Sequence, residues 1–481
     1  MPSLKKNFFY SALLTLANYV FPLITYPYVS RVLGVSNIGI CNFVDNIVNW
    51  FIVFSTMGIS VIGVREIAAV RSGEKERSRV FSGLLALNGL TTLAAAAVLA
   101  VAIFVVPKLF PYRLLLYLGV AKLIAHSLSL EWFFRGIEDF KYITDRSIVI
   151  KVLYIVAVFL FVRKAEDYGT YYLLLTLTVV ANTLVNVLYS RRYVSFSLRE
   201  LDMRRFAGPF FILGLNYVLT SFYSSLNVIY LGFVHGAEQV GFYTTATKIL
   251  TIVTALISAF TTVMLPRMSA VLTEGRMDEF RTYVGKAFNI LFLVGIPAVF
   301  LMQTEALDIV RVISGAGYEG AIRPMRIVAP MVLVAGMDQI LIMQILMPMK
   351  SDRRIFINSS IGAAVGILLN LLLTGWMGAS GSAIVWLCAE LAVCIAACLA
   401  VFGKDGIVFP GKKVLQMFLF YFPLLPILAM TSSLDIEKSY FRLALSASIA
   451  ACYFIVVSCF VFKDPVVLET VRQLAARFKK R

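Results

Sequence analysis

The chain has 481 residues, of which 60% are hydrophobic and only 15% charged. A soluble domain carries about 25% charged residues, and apolar runs near the ~20 residues that cross a bilayer recur along the whole chain. A string of soluble domains is therefore excluded. The net charge of +17 does not imply nucleic acid, because Lys and Arg fall in short loops and form no long basic stripe with interleaved aromatics.

The N-terminus, MPSLKKNFFYSALLTLANYVFPLITYPYV, is basic and then apolar. Its apolar part runs too long for a signal peptide and no A-x-A site follows, so it reads as a first, retained span. In chain order the first six spans are 7–30, 40–64, 80–106, 112–134, 144–162 and 168–189. Six more follow at 207–232, 242–265, 286–304, 324–348, 355–375 and 380–402. A last pair lies at 413–431 and 441–462. The expected fold is thus all-α and integral to the membrane, with about 14 transmembrane helices. Basic residues fill alternate loops, at Lys5, Lys6, 65–79, 135–146, 191–205, 267–286, 350–354, 404–413 and 463–481. The opposite loops hold far fewer, which places both termini in the cytoplasm.

Shifting the chain by 202 residues brings related positions together. Gly34 and Gly39 fall on Gly236 and Gly241, Arg65 on Arg267, and Gly73 on Gly275. Six spans separate the copies, so the repeat is parallel. Three parts are expected: a first lobe at 1–200, a second lobe at 201–403, and an extra helix pair with a basic tail at 404–481.

Polar faces run inside the spans. Ser11, Thr15, Asn18, Pro22 and Thr25 share one face of span 1, and Asn216, Thr220, Tyr223 and Asn227 share one of span 7. Asn42, Asp45, Asn46 and Asn49 in span 2 match Thr244, Thr247, Lys248 and Thr251 in span 8. Such faces either glue helices together or line an aqueous cavity. Ionisable groups sharpen the second reading, since charges at mid-bilayer are costly and mark substrate paths. Lys122, Lys151, Lys248, Asp45 and Asp338, with Arg31 at the outer end of span 1, are the candidate substrate-binding residues. Glu390 also lies within a span, Glu131 and Arg135 read as an i, i+4 pair, and Asp45 reads as a competing partner for Lys248. The six cysteines fall in apolar runs and, with two histidines and no HExxH or CxxC, imply neither a disulfide framework nor a metal site. No cofactor is expected.

Several segments resemble Wzx-type polysaccharide flippases. They are PLITYPYVSRVLGVSNIGICNFVDNIVNWF at 22–51, VREIA at 64–68, EWFFRGIEDFKYITDRSIVIK at 131–151, SLNVIYLGF with VGFYTTATKIL to 250, and QILMPMK to 350. The resemblance implies the superfamily of multidrug (MATE) transporters and lipid II flippases, with two six-helix lobes around a cavity and an extra helix pair. It implies no enzyme activity but export of an undecaprenyl-diphosphate-linked oligosaccharide, for O-antigen or capsule, across the bacterial inner membrane. In the related lipid II flippases an arginine in a similar S-R-V-L-G segment is important, and Arg31 is the matching position. Membrane lipids, a coupling ion (H+ or Na+) and a glycan polymerase are the implied partners. Two other classes remain open here. An ion-coupled drug exporter would favour acidic cavity groups. A membrane glycan polymerase or glycosyltransferase would need a large outer loop, and the outer loops here are short.

Overall fold

The computed structural model describes residues 4–197, 201–403, 406–434 and 438–462, and every element in them is helical. The basic tail from Lys463 to Arg481 and the side chains of Asn216 and Tyr223 lie outside the described residues. The chain divides into two compact units. One comprises Met1–Thr244 with Ser359–Ala389, and the other Thr245–Asn358 with Glu390–Arg481.

In the first unit α1 (Leu4–Thr56) leads through α2 (Ile59–Ala69), α3 (Glu74–Val105) and α4 (Arg113–Ser127) to a short α5 (Glu131–Gly136). Then come α6 (Phe140–Phe161), α7 (Tyr168–Ser190), α8 (Met203–Ser224), α9 (Leu226–His235) and the start of α10 (Ala237–Thr273). Leu90, Leu93, Val98, Val101 and Phe104 of α3 are all exposed on the surface. An apolar outer face fits lipid as its solvent, and it explains why these helices lack the polar stripe of a soluble bundle. Trp132, Phe133 and Phe134 of α5 sit in a buried cluster with Ile62, Phe81 and Phe210.

Among the described residues, eight helices are long and apolar enough to cross a membrane, or ten if two bent pairs are each one span. That is fewer than the fourteen expected. Two of the eight are very long, Phe9–Ala69 with 61 residues and Asp352–Val401 with 50. At 1.5 Å per residue they reach roughly 90 and 75 Å, against a hydrocarbon core of about 30 Å. Gly34 breaks the first at φ 76° and Gly378 the second at φ 54°, so each is long enough for more than one crossing. Helix α6 is outside the set because Asp145, Arg146 and Lys151 lie along it.

Positions 202 apart meet directly. Gly34 and Gly236 share the positive φ that glycine tolerates, 76° and 82°. A Cβ on Gly39 would overlap the Ala237 carbonyl, and one on Gly241 the Val35 carbonyl. Asn42 Nδ2 donates to Thr244 Oγ1 at 2.8 Å. Glycine at both positions is what lets the two backbones approach.

In the second unit the core gathers Phe280, Phe288, Leu291 and Ile296 of α11 (Met277–Thr304) with Ile340, Leu341 and Ile345. Those three lie on a π-helical stretch, Gln339–Leu346, that follows α14 (Met331–Asp338). The last pair is α18 (Leu424–Ser432) and α19 (Ser439–Val456), beside α12 (Ala306–Ser314). Arg442 of α19 donates from Nε to Asp308 of α12, and from Nη2 at 2.6 Å. Asp308 is 3% exposed, and a bidentate Arg–carboxylate pair is the strongest form of this contact.

Candidate functional site

The sequence places α4 and α5 in one span, 112–134, but the helix breaks inside it. Leu130 takes the left-handed conformation at φ 54°, and α4 ends at Ser127. Ending a helix in a membrane exposes carbonyls that no water satisfies, so neighbours must do so. Three do. Thr183 Oγ1 donates to Ala125 O at 2.7 Å, Asn88 Nδ2 to Ser127 O at 2.9 Å, and Asn186 Nδ2 to Ser129 O.

Beside this break lies a cavity of about 400 Å³, lined from α1 through α7 mostly by polar residues, with Ile59, Trp132 and Val179 among them. Lys151 of α6 and Asn18 of α1 line it and hydrogen-bond to each other. Pro22, one turn beyond Asn18, has no N–H and so cannot bond the Asn18 carbonyl. Glu131 also lines the cavity, and its charge is matched twice, by Arg135 at 3.6 Å and Arg146 at 3.3 Å. Among the described residues the hydrogen-bond partner of Lys151 is a neutral amide, so the cavity wall is cationic in balance. Its volume falls in the range of small-ligand pockets, about 300–1,000 Å³.

Of the six expected site residues, two meet each other directly. Lys122 and Asp45 form an ion pair at 2.5 Å. Asn49 closes the triad, donating to Asp45 Oδ2 at 3.0 Å and accepting from Lys122 at 3.3 Å. Of the six, only Lys151 lines the cavity. Arg31 lies on an exposed turn of α1 and donates to Pro27 O at 2.6 Å. Lys248 and Asp338 belong to the second unit, where Asp338 is buried near Glu390, Cys394 and Cys398. Glu131 and Arg135 pair as expected, with Arg146 added.

Asn88, His126, Trp132, Arg146 and Asn182 were not chosen as site residues in the sequence. Polar Asn88 and Asn182 inside apolar spans, and the polar run H-S-L-S-L-E-W at 126–132, were the available signals. At the start of the helix that leads into α7, Asp167 accepts from the backbone N–H groups of Arg163 at 2.9 Å and Lys164 at 3.0 Å.

Comparison with known proteins bears on this geometry. A candidate O-antigen transporter of Escherichia coli (strain K12) is 25% identical over 397 residues, covering 81% of this chain and 95% of that protein. One of Shigella dysenteriae is 23% identical over 275 residues, covering 55% and 67%. Among solved structures, the inward closed lipid II flippase MurJ covers 95% of this chain and 100% of its own, with a TM-score of 0.78 at 15% identity. An inward-facing multidrug resistance MATE transporter of the MOP superfamily covers 84% and 98%, with a TM-score of 0.60 at 14% identity. The fold is therefore that of MurJ and the MATE transporters, and its long apolar helices make the chain a multi-pass membrane protein. The family profile described as polysaccharide biosynthesis protein matches residues 4–272, and the chain belongs to that family.

Proposed function

We propose that this protein is a flippase that carries an undecaprenyl-diphosphate-linked oligosaccharide repeat unit from the cytoplasmic to the outer leaflet of the bacterial inner membrane by alternating access. The observation that supports it most is the cavity at the α4–α5 break, lined mostly by polar residues and left with the Lys151 charge. A diphosphate and its sugars cannot enter hydrocarbon without a large desolvation cost, whereas the polyprenyl tail stays in lipid. A cation held by a neutral amide suits phosphate oxygens. Broken helices at membrane depth are where transporters build such sites. The relatives named as O-antigen transporters support the same cargo.

The reading includes fourteen crossings with both termini cytoplasmic, lobes at 1–200 and 201–403, and an accessory pair from 404 onward. Arg31 and Lys248 serve as further phosphate contacts, Asp338 as a carboxylate on the path, and H+ or Na+ as the driving ion. A glycan polymerase receives the product. The test is genetic. Deleting the gene should remove one surface glycan and leave its lipid-linked repeat unit accumulated on the cytoplasmic side. An intact glycan together with lost resistance to cationic dyes would overturn the reading in favour of a drug exporter.

A further inference from the structure

Four residues that line the cavity each carry a buried polar atom with no hydrogen-bond partner among the described residues: Asn88 Oδ1, His126 Nδ1, Trp132 Nε1 and Asn182 Oδ1. Buried polar groups are nearly always paired, so four around one cavity is an unmet demand. Two of the residues, Asn88 and Trp132, are 1% and 5% exposed. The four atoms are closed to solvent in this conformation, although the residues that carry them line the cavity.

The chemistry of the four is set by their other contacts. Asn88 commits its NH2 group to Ser127 O at 2.9 Å, and Asn182 commits its own to Thr178 O at 2.7 Å. Both amides are thereby oriented, and each has its oxygen left over as an acceptor. Trp132 is stacked on Phe81, and a Cβ on Gly63 would overlap its ring. Its faces are covered, so its contribution is the indole N–H, a donor. The imidazole of His126 supplies either role. A fully ionised diphosphate has only acceptor oxygens and can satisfy neither asparagine. A sugar hydroxyl donates and accepts, and can satisfy all four.

We infer that Asn88, His126, Trp132 and Asn182 form a hydroxyl-reading subsite for the sugar next to the diphosphate, while Lys151 takes the charge. The inference rests on the flippase reading and adds a source of cargo selectivity to it. A site built to bond hydroxyls rejects a ligand lacking them far more strongly than an apolar pocket does, because its own groups stay unpaired.

The experiment uses the full chain in lipid nanodiscs and two kinds of probe: bare undecaprenyl diphosphate, and the same lipid carrying one hexose or N-acetylhexosamine from a small panel. The wild type should bind at least one glycosylated lipid about tenfold more tightly than the bare lipid. Asn182→Leu should bring that ratio towards one while the bare-lipid Kd stays within about twofold. His126→Leu should do the same, and the retained bare-lipid binding reports that both variants fold. Lys151→Gln should weaken both probes alike and keep the ratio. Equal binding of bare and glycosylated lipids by the wild type across the panel would overturn the subsite alone. An unchanged ratio in both leucine variants would do so too. Failure of the wild type to bind any of these lipids would overturn the flippase reading itself.

Discussion

The Asp45–Lys122 pair joins two of the expected site residues, and its removal has a calculable size. The two groups lie 2.5 Å apart with side chains 26% and 11% exposed, and Asn49 bonds both. At an effective dielectric near 20, opposite charges about 4 Å apart attract by roughly 4 kcal/mol. Desolvation costs several kcal/mol per ion, so the intact pair contributes little net stability. Deleting one partner is different, because it strands the other charge. Lys122→Met should then destabilise the protein by about 3–5 kcal/mol. Lys122→Met combined with Asp45→Leu should return to within about 1 kcal/mol of wild type, since packed apolar residues replace a buried pair at little cost. The assay is a double-mutant cycle by chemical denaturation in detergent, with folded protein followed by gel filtration. A single variant as stable as wild type would refute the reasoning, as would a double variant no better than the single. Either result would mean that Asp45 does not depend on Lys122 and is free for another cation.

Arg442→Ala should cost about 3–5 kcal/mol, because it leaves Asp308 charged at 3% exposure. Arg442→Lys should recover only part of this, lacking the two-pronged geometry, and the yield of folded protein after extraction reads both. Gly39→Ala should cost about 1–3 kcal/mol through overlap with the Ala237 carbonyl. Gly89→Ala, where a Cβ meets nothing within 4 Å, should be neutral or stabilising by about 0.5–1 kcal/mol; thermal midpoints of the two decide it. Lys151→Gln should lower translocation of a lipid-linked saccharide in proteoliposomes by about tenfold with folded protein unchanged. Lys151→Arg should be milder, because it keeps a charge that can hold phosphate oxygens.

The all-helical membrane fold was legible because it depends on quantities a sequence states directly: long apolar runs and few charges. The 202-residue offset was legible for the same reason, since glycines needed for positive φ or close approach leave a mark at fixed positions. Gly34 with Gly236, and Gly39 with Gly241, are such positions. The number of helices was harder. An apolar run does not say how closely one helix follows the next, and in α1 the helices on either side of Gly34 follow without a loop.

The site was only partly legible, and the reason is the range of the contacts that build it. Charge and depth drew attention to Lys122, Lys151 and Asp45 but could not say which carboxylate meets which amine. Asp45 and Lys122 are 77 residues apart, and Lys151 and Asn18 are 133 apart. Helical periodicity reports neighbours three or four residues away, so it found Glu131 with Arg135 and missed Arg146, 15 residues on. The break between α4 and α5 was hidden by the same limit. The local sequence supplies a polar run but neither Pro nor Gly to force an end. The donors that make an end tolerable come from elsewhere: Asn88 from 39 residues before, Asn186 and Thr183 from 57 and 58 after. Without them the carbonyls of Ser127 and Ser129 would lose their side-chain donors, and Ala125 would keep only the Leu128 N–H. The cavity therefore exists because three distant side chains satisfy one short stretch of backbone. That makes Asn88 doubly placed, with its NH2 holding the break open and its oxygen left for the cargo.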